Sequence, residues 1–127
     1  MNDICFRSFM SINENLIRKA VPVLPAIDLV RTNQYYRDRL HFQTIFYGDC
    51  LVVKHGLAEL HFYETDKREV FRGSVCCLLV SNIEDVYAYF SGKDVMLPEQ
   101  QLKETVRRMK EFSILDNNGN RIRFVER

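Results

Sequence analysis

The sequence predicts an α+β fold: two βαβββ modules forming one curved mixed sheet, with helices on its outer face. Three observations lead there. A strand–helix–three-strand order read over residues 20–64 recurs over residues 74–126. Val23-Leu24-Pro25-Ala26-Ile27-Asp28-Leu29 passes from an extended apolar stretch to an acidic helix start and then Tyr35-Tyr36. Leu78-Leu79-Val80-Ser81-Asn82-Ile83-Glu84-Asp85-Val86 does the same before Tyr89-Phe90. Ile27 and Ile83, which this pattern aligns, lie 56 positions apart, too far for a solenoid repeat and suited to a duplicated half-domain. The concave face between two such halves is the natural place for a ligand.

Residues 1–18 are polar and uneven and read as an N-terminal extension. Residues 19–127 read as a single domain, with modules over 19–64 and 74–127. Val21-Pro22-Val23-Leu24-Pro25 is extended, and its two prolines, which cannot donate to a ladder, make it an edge strand. Asp28 is placed to cap a helix through Leu40 that turns Leu29, Tyr36 and Leu40 to one side. Phe42–Tyr47, Cys50–Lys54 and Ala58–Tyr63 form a meander with turns at Gly48-Asp49 and His55-Gly56.

In the second module, Val75–Val80 is a strand, and Ser81 with Glu84 has the spacing of a capping box. Ile83, Val86, Tyr87 and Phe90 then recur at helical intervals. Residues 97–108 are polar and basic and read as a loop. Lys110–Leu115 and Arg121–Val125 form a hairpin around Asp116-Asn117-Asn118-Gly119-Asn120, in which Asn-Gly is a strong turn signal.

Composition narrows the function classes. At 127 residues the chain can bury a full core. Its net charge of +1 gives no electrostatic reason to expect nucleic acid or a membrane surface. No apolar run approaches the roughly 20 residues needed to cross a bilayer, and the first 20 residues lack a signal-peptide pattern. A cytoplasmic protein is expected. Cys5, Cys50, Cys76 and Cys77 have no C-x-x-C spacing, so free thiols are expected rather than a zinc site or a disulfide framework. Adjacent Cys76 and Cys77 must point to opposite faces of their strand.

The segments VPVLPAIDLVRTNQYYRDRLHF and EFSILDNNGNRIRF, joined through LAELHFYE and SVCCLLVSNIEDVYAYF, resemble the vicinal oxygen chelate superfamily. Within it they look most like the bleomycin-resistance proteins, the antibiotic-sequestering branch of the glyoxalase and dioxygenase group. The resemblance covers about residues 20–126 and implies paired βαβββ modules in a homodimer with ligand grooves at the subunit interface. The superfamily's enzymes place one metal ligand on each of four strands. Here those positions fall on Val21, Glu59, Val75 and Arg123. Two valines cannot coordinate a cation, and an arginine adds positive charge where one would sit. No metal or other cofactor is expected.

The resemblance puts position 59 on the concave face. Strand alternation then turns His61 and Tyr63 the same way, with Arg121, Arg123 and Val125 on the last strand and Cys77 and Leu79 beside Val75. Ala58, Leu60, Phe62, Ile122 and Phe124 point to the helix side. Glu111 and Ser113 are expected inward. Phe42, Phe46 and Tyr47 on the second strand offer stacking surface for a planar ligand, but alternation lets only one of Phe46 and Tyr47 face the groove, and Phe46 is the one assigned to it. The expected ligand site is therefore Glu59, His61, Tyr63, Arg123, Glu111 and Phe46 on an otherwise apolar wall. A plain structural alternative is that Glu59 and Arg123 only pair with each other. His41 and His55 sit at turns with no chemical role, and the cluster Lys103, Arg107, Arg108 and Lys110 is a solvated lip or favours an anionic or neutral ligand.

These readings predict a non-enzymatic binder that sequesters an antibiotic-like small molecule as a homodimer. The alternative is a metal-dependent lyase, isomerase or dioxygenase using Glu59 and His61. A protein-binding module of the same fold is a third class.

Overall fold

The computed structural model describes residues 11–96, 101–105 and 108–127. Of the expected N-terminal extension, residues 1–10 lie outside the described residues, and residues 14–16 form a turn closed by Leu16 N–H to the Asn13 carbonyl at 2.9 Å. Module one holds β1 (Val23–Ala26), α1 (Leu29–Gln34), β2 (Gln43–Tyr47), β3 (Cys50–His55) and β4 (Ala58–Glu64). Module two holds β5 (Val75–Val80), α2 (Ile83–Ser91), β6 (Lys103–Glu104), β7 (Lys110–Leu115) and β8 (Arg121–Glu126).

The strands form two four-stranded mixed sheets, ordered β1-β4-β3-β2 and β5-β8-β7-β6, one per module. In each, the first strand runs parallel to the fourth: a helix returns the chain before the second strand, and two antiparallel reversals then bring the fourth alongside the first. The rest is an antiparallel meander. Proline-bearing β1 is an edge strand, as Pro22 and Pro25 dictate. Gly48 and Gly56 each open a two-residue hairpin turn with positive φ (55° and 59°). The second turn is therefore Gly56-Leu57, one residue later than the sequence suggests, and this sets the register between β3 and β4.

Both helices start in the same way. Asp28 caps α1 by accepting from the amides of Val30 and Arg31, and Asn82 caps α2 by accepting from Asp85. The cap of α2 is thus Asn82 and not Ser81, since Asn82 holds the extended backbone (φ −138°) that aims a side chain back at the first turn. Glu64 at the end of β4 accepts from Leu29 N–H at 3.0 Å, and Glu126 at the end of β8 accepts from Ile83 N–H at 2.9 Å. Leu29 therefore corresponds to Ile83, and the spacing that aligns Ile27 with Ile83 is two residues out.

The helix expected through Leu40 is α-helical only to Gln34. Tyr35–Arg39 is a π-turn, closed by Leu40 N–H to the Tyr35 carbonyl at 3.1 Å. A π-turn rotates less per residue than an α-turn, so adjacent Tyr35 and Tyr36 diverge less and both reach module two. Within the stretch read as a loop, residues 97–100 and 106–107 lie outside the described residues, and Lys103–Glu104 forms the short strand β6 against β7.

One core serves both modules. The helix-side residues Leu24, Leu51, Leu60 and Phe62 of module one join Cys76, Phe112, Ile122 and Phe124 of module two in a single buried cluster with Tyr36, Leu40, Ile83 and Phe90. Phe90 packs on Phe42 of module one (6.4 Å between ring centroids) and on Phe124 of its own module (5.0 Å). Polar contacts stitch the same seam. Tyr36 donates to the buried Asp116 carboxylate at 2.9 Å, and Asn120 donates to the Pro25 carbonyl at 2.9 Å. The modules meet through their helix sides, so their other sheet faces turn outward.

Candidate functional site

Register fixes what each outward face carries. Side chains alternate along a strand, so directly paired residues share a face. In module one three cross-strand rows result: Gln43, Lys54 and Glu59; Ile45, Val52, His61 and Val23; Tyr47, Cys50, Tyr63 and Pro25. In module two they are Val75, Arg121 and Leu115; Cys77, Arg123 and Ser113; Leu79, Val125, Glu111 and Lys103. The predicted residues Glu59, His61 and Tyr63 thus share one face, and Glu111 and Arg123 share the other.

Phe46 is a correction. It pairs with Leu51, which pairs with Phe62, and both of these are buried on the helix side. Phe46 therefore lies on the face opposite Glu59, and Tyr47 is the aromatic residue of β2 that accompanies Tyr63. Three consecutive apolar residues on a half-exposed edge strand give no alternation from which to read its facing.

The charged groups of module one form a tight cluster. The Glu59 carboxylate lies 2.9 Å from Lys19 Nζ, 2.6 Å from His61 Nε2 and 3.8 Å from Lys54 Nζ. The Lys19 contact, then the His61 hydrogen bond, with Lys54 adding charge, hold the Glu59 carboxyl down to about 2. Glu59 is thus an ionised acceptor, and His61 presents an N–H to it from Nε2.

Module two is built around arginines. Arg123 Nε donates to the nearly buried Glu111 carboxylate at 2.9 Å, and that contact raises the Arg123 pKa. Arg121 Nε donates to the buried Ser113 hydroxyl at 3.1 Å. Among the described residues no hydrogen bond or ion pair joins Glu59 to Arg123; each has its own partner. The residues expected to line one cavity lie on two separate sheet faces of the chain. Both are open: Val23 is 61 % exposed, Tyr63 40 %, Val75 49 % and Leu79 60 %.

The fold has solved counterparts. A bleomycin resistance determinant encoded on transposon Tn5 superposes with a TM-score of 0.75 at 18 % identity, covering 87 % of this chain and 98 % of that one. A bleomycin-binding protein from bleomycin-producing Streptomyces verticillus, complexed with copper(II)-bleomycin, gives 0.74 at 23 % identity, over 85 % and 94 %. Lactoylglutathione lyase from Agrobacterium tumefaciens gives 0.65 at 16 % identity, over 85 % and 92 %. This is the vicinal oxygen chelate fold. No family model matches the sequence, and no curated protein matches it either.

Within the vicinal oxygen chelate fold, the two modules allow the metal-ligand pattern to be placed by register. β1 runs parallel to β4 with Val23 opposite His61, and β5 runs parallel to β8 with Val75 opposite Arg121. By the same repeat, Arg121 is the counterpart of Glu59 and Arg123, the expected ligand position, is the counterpart of His61. The donor set does not fit a divalent cation. Two of its members are valines, one is a guanidinium, and the carboxylate is already bonded to an ammonium and an imidazole N–H.

Lys54 and Arg121 share these faces with the predicted residues, Lys54 beside Glu59 and Arg121 over Ser113. A turn at Gly56-Leu57, signalled by glycine at the first turn position, would have placed Lys54 beside Glu59. Lys19 carries no such local signal, because only tertiary folding brings it to Glu59. An apolar cleft of about 450 Å³ also opens on the helix side, between the β3–β4 turn and α2, lined by Leu57, Leu78, Val86 and Tyr89 among others. Leu79 of the module-two face also lines it.

Proposed function

We propose that the protein is a non-enzymatic small-molecule binder that sequesters an antibiotic-like compound in the grooves of a cytoplasmic homodimer. Residues 19–127 act as its single domain and residues 1–18 as an extension. The observation that carries this reading is the outward turn of two different sheet faces by a shared core. Val23 and Tyr63 on one face, and Val75 and Leu79 on the other, remain exposed in one chain. Clustered exposed apolar residues rimmed by charge favour an interface or a ligand groove. A two-fold partner can set module one of one copy over module two of the other, which gives two equivalent grooves from one contact.

In that arrangement Glu59, His61 and Tyr63 face Arg123 and Glu111 across an apolar gap. Binding removes the compound from solution stoichiometrically, and no bond is made or broken. The free thiols Cys50, Cys76 and Cys77 are in keeping with a reducing cytoplasm. Solved proteins of this fold include a bleomycin-binding protein complexed with bleomycin. An enzyme of the same fold would need Glu59 and His61 as metal ligands, whereas here they bond to each other.

Light scattering and metal analysis test the reading together. The expected mass is twice the 15.1 kDa of one chain, with substoichiometric metal in protein purified without chelator. A monomer at micromolar concentration would remove the groove. One metal per chain, with a Tm rise of several degrees on adding divalent ions, would overturn the non-enzymatic assignment.

A further inference from the structure

We infer that the groove takes an anionic amphipathic ligand, and that Arg121 with Arg123 on β8 forms its anion clamp. This rests on the small-molecule reading above and names the ligand's chemistry.

Arg121 and Arg123 are two residues apart on one strand and share its outward face, which sets their Cα atoms about 6.5 Å apart. Two guanidinium groups so placed repel each other unless something offsets them. Glu111 offsets one, through Arg123 Nε at 2.9 Å. Arg121 bonds to the neutral Ser113 hydroxyl and to no carboxylate among the described residues.

The geometry of these contacts matters as much as the charge. Both arginines are held at Nε, and both acceptors, Ser113 (1 % exposed) and Glu111 (9 %), are buried beneath them on β7. Anchoring at Nε fixes each planar group and leaves its terminal nitrogens free to donate. A guanidinium fixed in this way offers paired donors matched to a carboxylate, sulfonate or phosphate.

The surroundings complete the recognition. Beside the arginines on β5 lies the exposed row Val75, Cys77 and Leu79, which suits an apolar ligand body. The face of module one adds no uncompensated acid, since its Glu59 is paired with Lys19, Lys54 and His61. Summed over both faces, Lys19, Lys54, Arg121, Arg123 and Lys103 outnumber Glu59 and Glu111. A cationic ligand would meet a surplus of like charge.

The test uses two fluorescent probes with the same dansyl body and opposite charge, dansylglycine and dansylcadaverine, titrated into the full-length protein. Dansylglycine is expected to bind more tightly, with affinity falling as salt rises. Arg121→Gln is expected to weaken it about tenfold, and Arg121→Lys less, because lysine keeps the charge but loses the paired donors. Arg121 is exposed, so neither change threatens the core. Tighter dansylcadaverine binding, displaced by dansylglycine, would leave the small-molecule reading standing and overturn the anion clamp. Dansylglycine binding unchanged in Arg121→Gln would also overturn the clamp. If neither probe binds the folded protein, the small-molecule reading fails and takes this inference with it.

Discussion

Module one and module two share a strand order, a parallel first pair and a helix whose first amide is held by a glutamate at the end of the fourth strand. Their outward faces nevertheless carry different chemistry. Register makes Glu59 the counterpart of Arg121, His61 of Arg123 and Tyr63 of Val125. Glu64 and Glu126, by contrast, are the same residue doing the same work. Positions that close the fold repeat between the halves, and positions that face outward do not. The difference places the fold's requirements at the helix side and at the strand ends, and leaves the outward rows free to differ.

The largest effect is expected where the modules are least separable. Phe90 packs its ring against Phe42, Phe112 and Phe124, so Phe90→Ala opens a cavity that both halves line. A loss of about 3–5 kcal/mol is expected by urea unfolding. Wild-type protein should unfold in one transition seen equally by fluorescence and circular dichroism. Two resolved transitions would show the modules to be independent domains and would break the shared-core account.

Next comes the polar seam. Asp116 accepts from Tyr36, from the Asn120 side chain and from the amides of Asn118 and Asn120. Removing that carboxylate in Asp116→Ala leaves several buried donors unpaired at once. About 2–3 kcal/mol should be lost, and Asp116→Asn, which keeps an acceptor oxygen, should lose less. Equal losses would mean the loop is held by its backbone and not by the side chain.

A smaller pair of changes sharpens the repeat itself. Glu64→Ala and Glu126→Ala each remove one acceptor at a helix start, and each should cost about 0.5–1 kcal/mol. The informative quantity is their ratio in matched denaturant titrations. Similar costs support Leu29 and Ile83 as equivalent positions. A loss confined to one variant would mean that only one glutamate is tied to its helix.

Most of the fold was legible because it rests on local signals. Prolines marked β1 as an edge, Asp28 marked a helix start, glycines marked hairpins, and alternating apolar residues assigned Leu60, Phe62, Ile122 and Phe124 to the helix side, where they are buried. Signals that misled were off by one or two residues: Ser81 for Asn82, His55-Gly56 for Gly56-Leu57, Ile27 for Leu29. Such slips matter little for a helix but change partners across a sheet. The site was less legible because its contacts are tertiary. Phe46 sits on an edge strand with no alternation, Lys19 reaches Glu59 from ahead of β1, and the outward turn of the two faces follows from how two helix sides pack.

The smallest expected effect tests the electrostatics of module one alone. Glu59 has its folded pKa lowered from 4.5 to about 2 by Lys19, His61 and Lys54. For a carboxyl lowered on folding, the stabilisation is fully present above the unfolded value and is lost as pH falls toward the folded one. Wild-type protein should therefore melt slightly above Glu59→Gln at neutral pH, and the gap should close between about pH 4.5 and about pH 2. The gap should be small, since this face is open to water and exposed ion pairs contribute little. Raising salt at neutral pH should shrink it for the same reason. Differential scanning calorimetry of both proteins across that window makes the check. A gap that persists undiminished near pH 2 would mean the glutamine costs packing alone. Lys19 would then be a neighbour of Glu59 rather than the charge that holds it ionised.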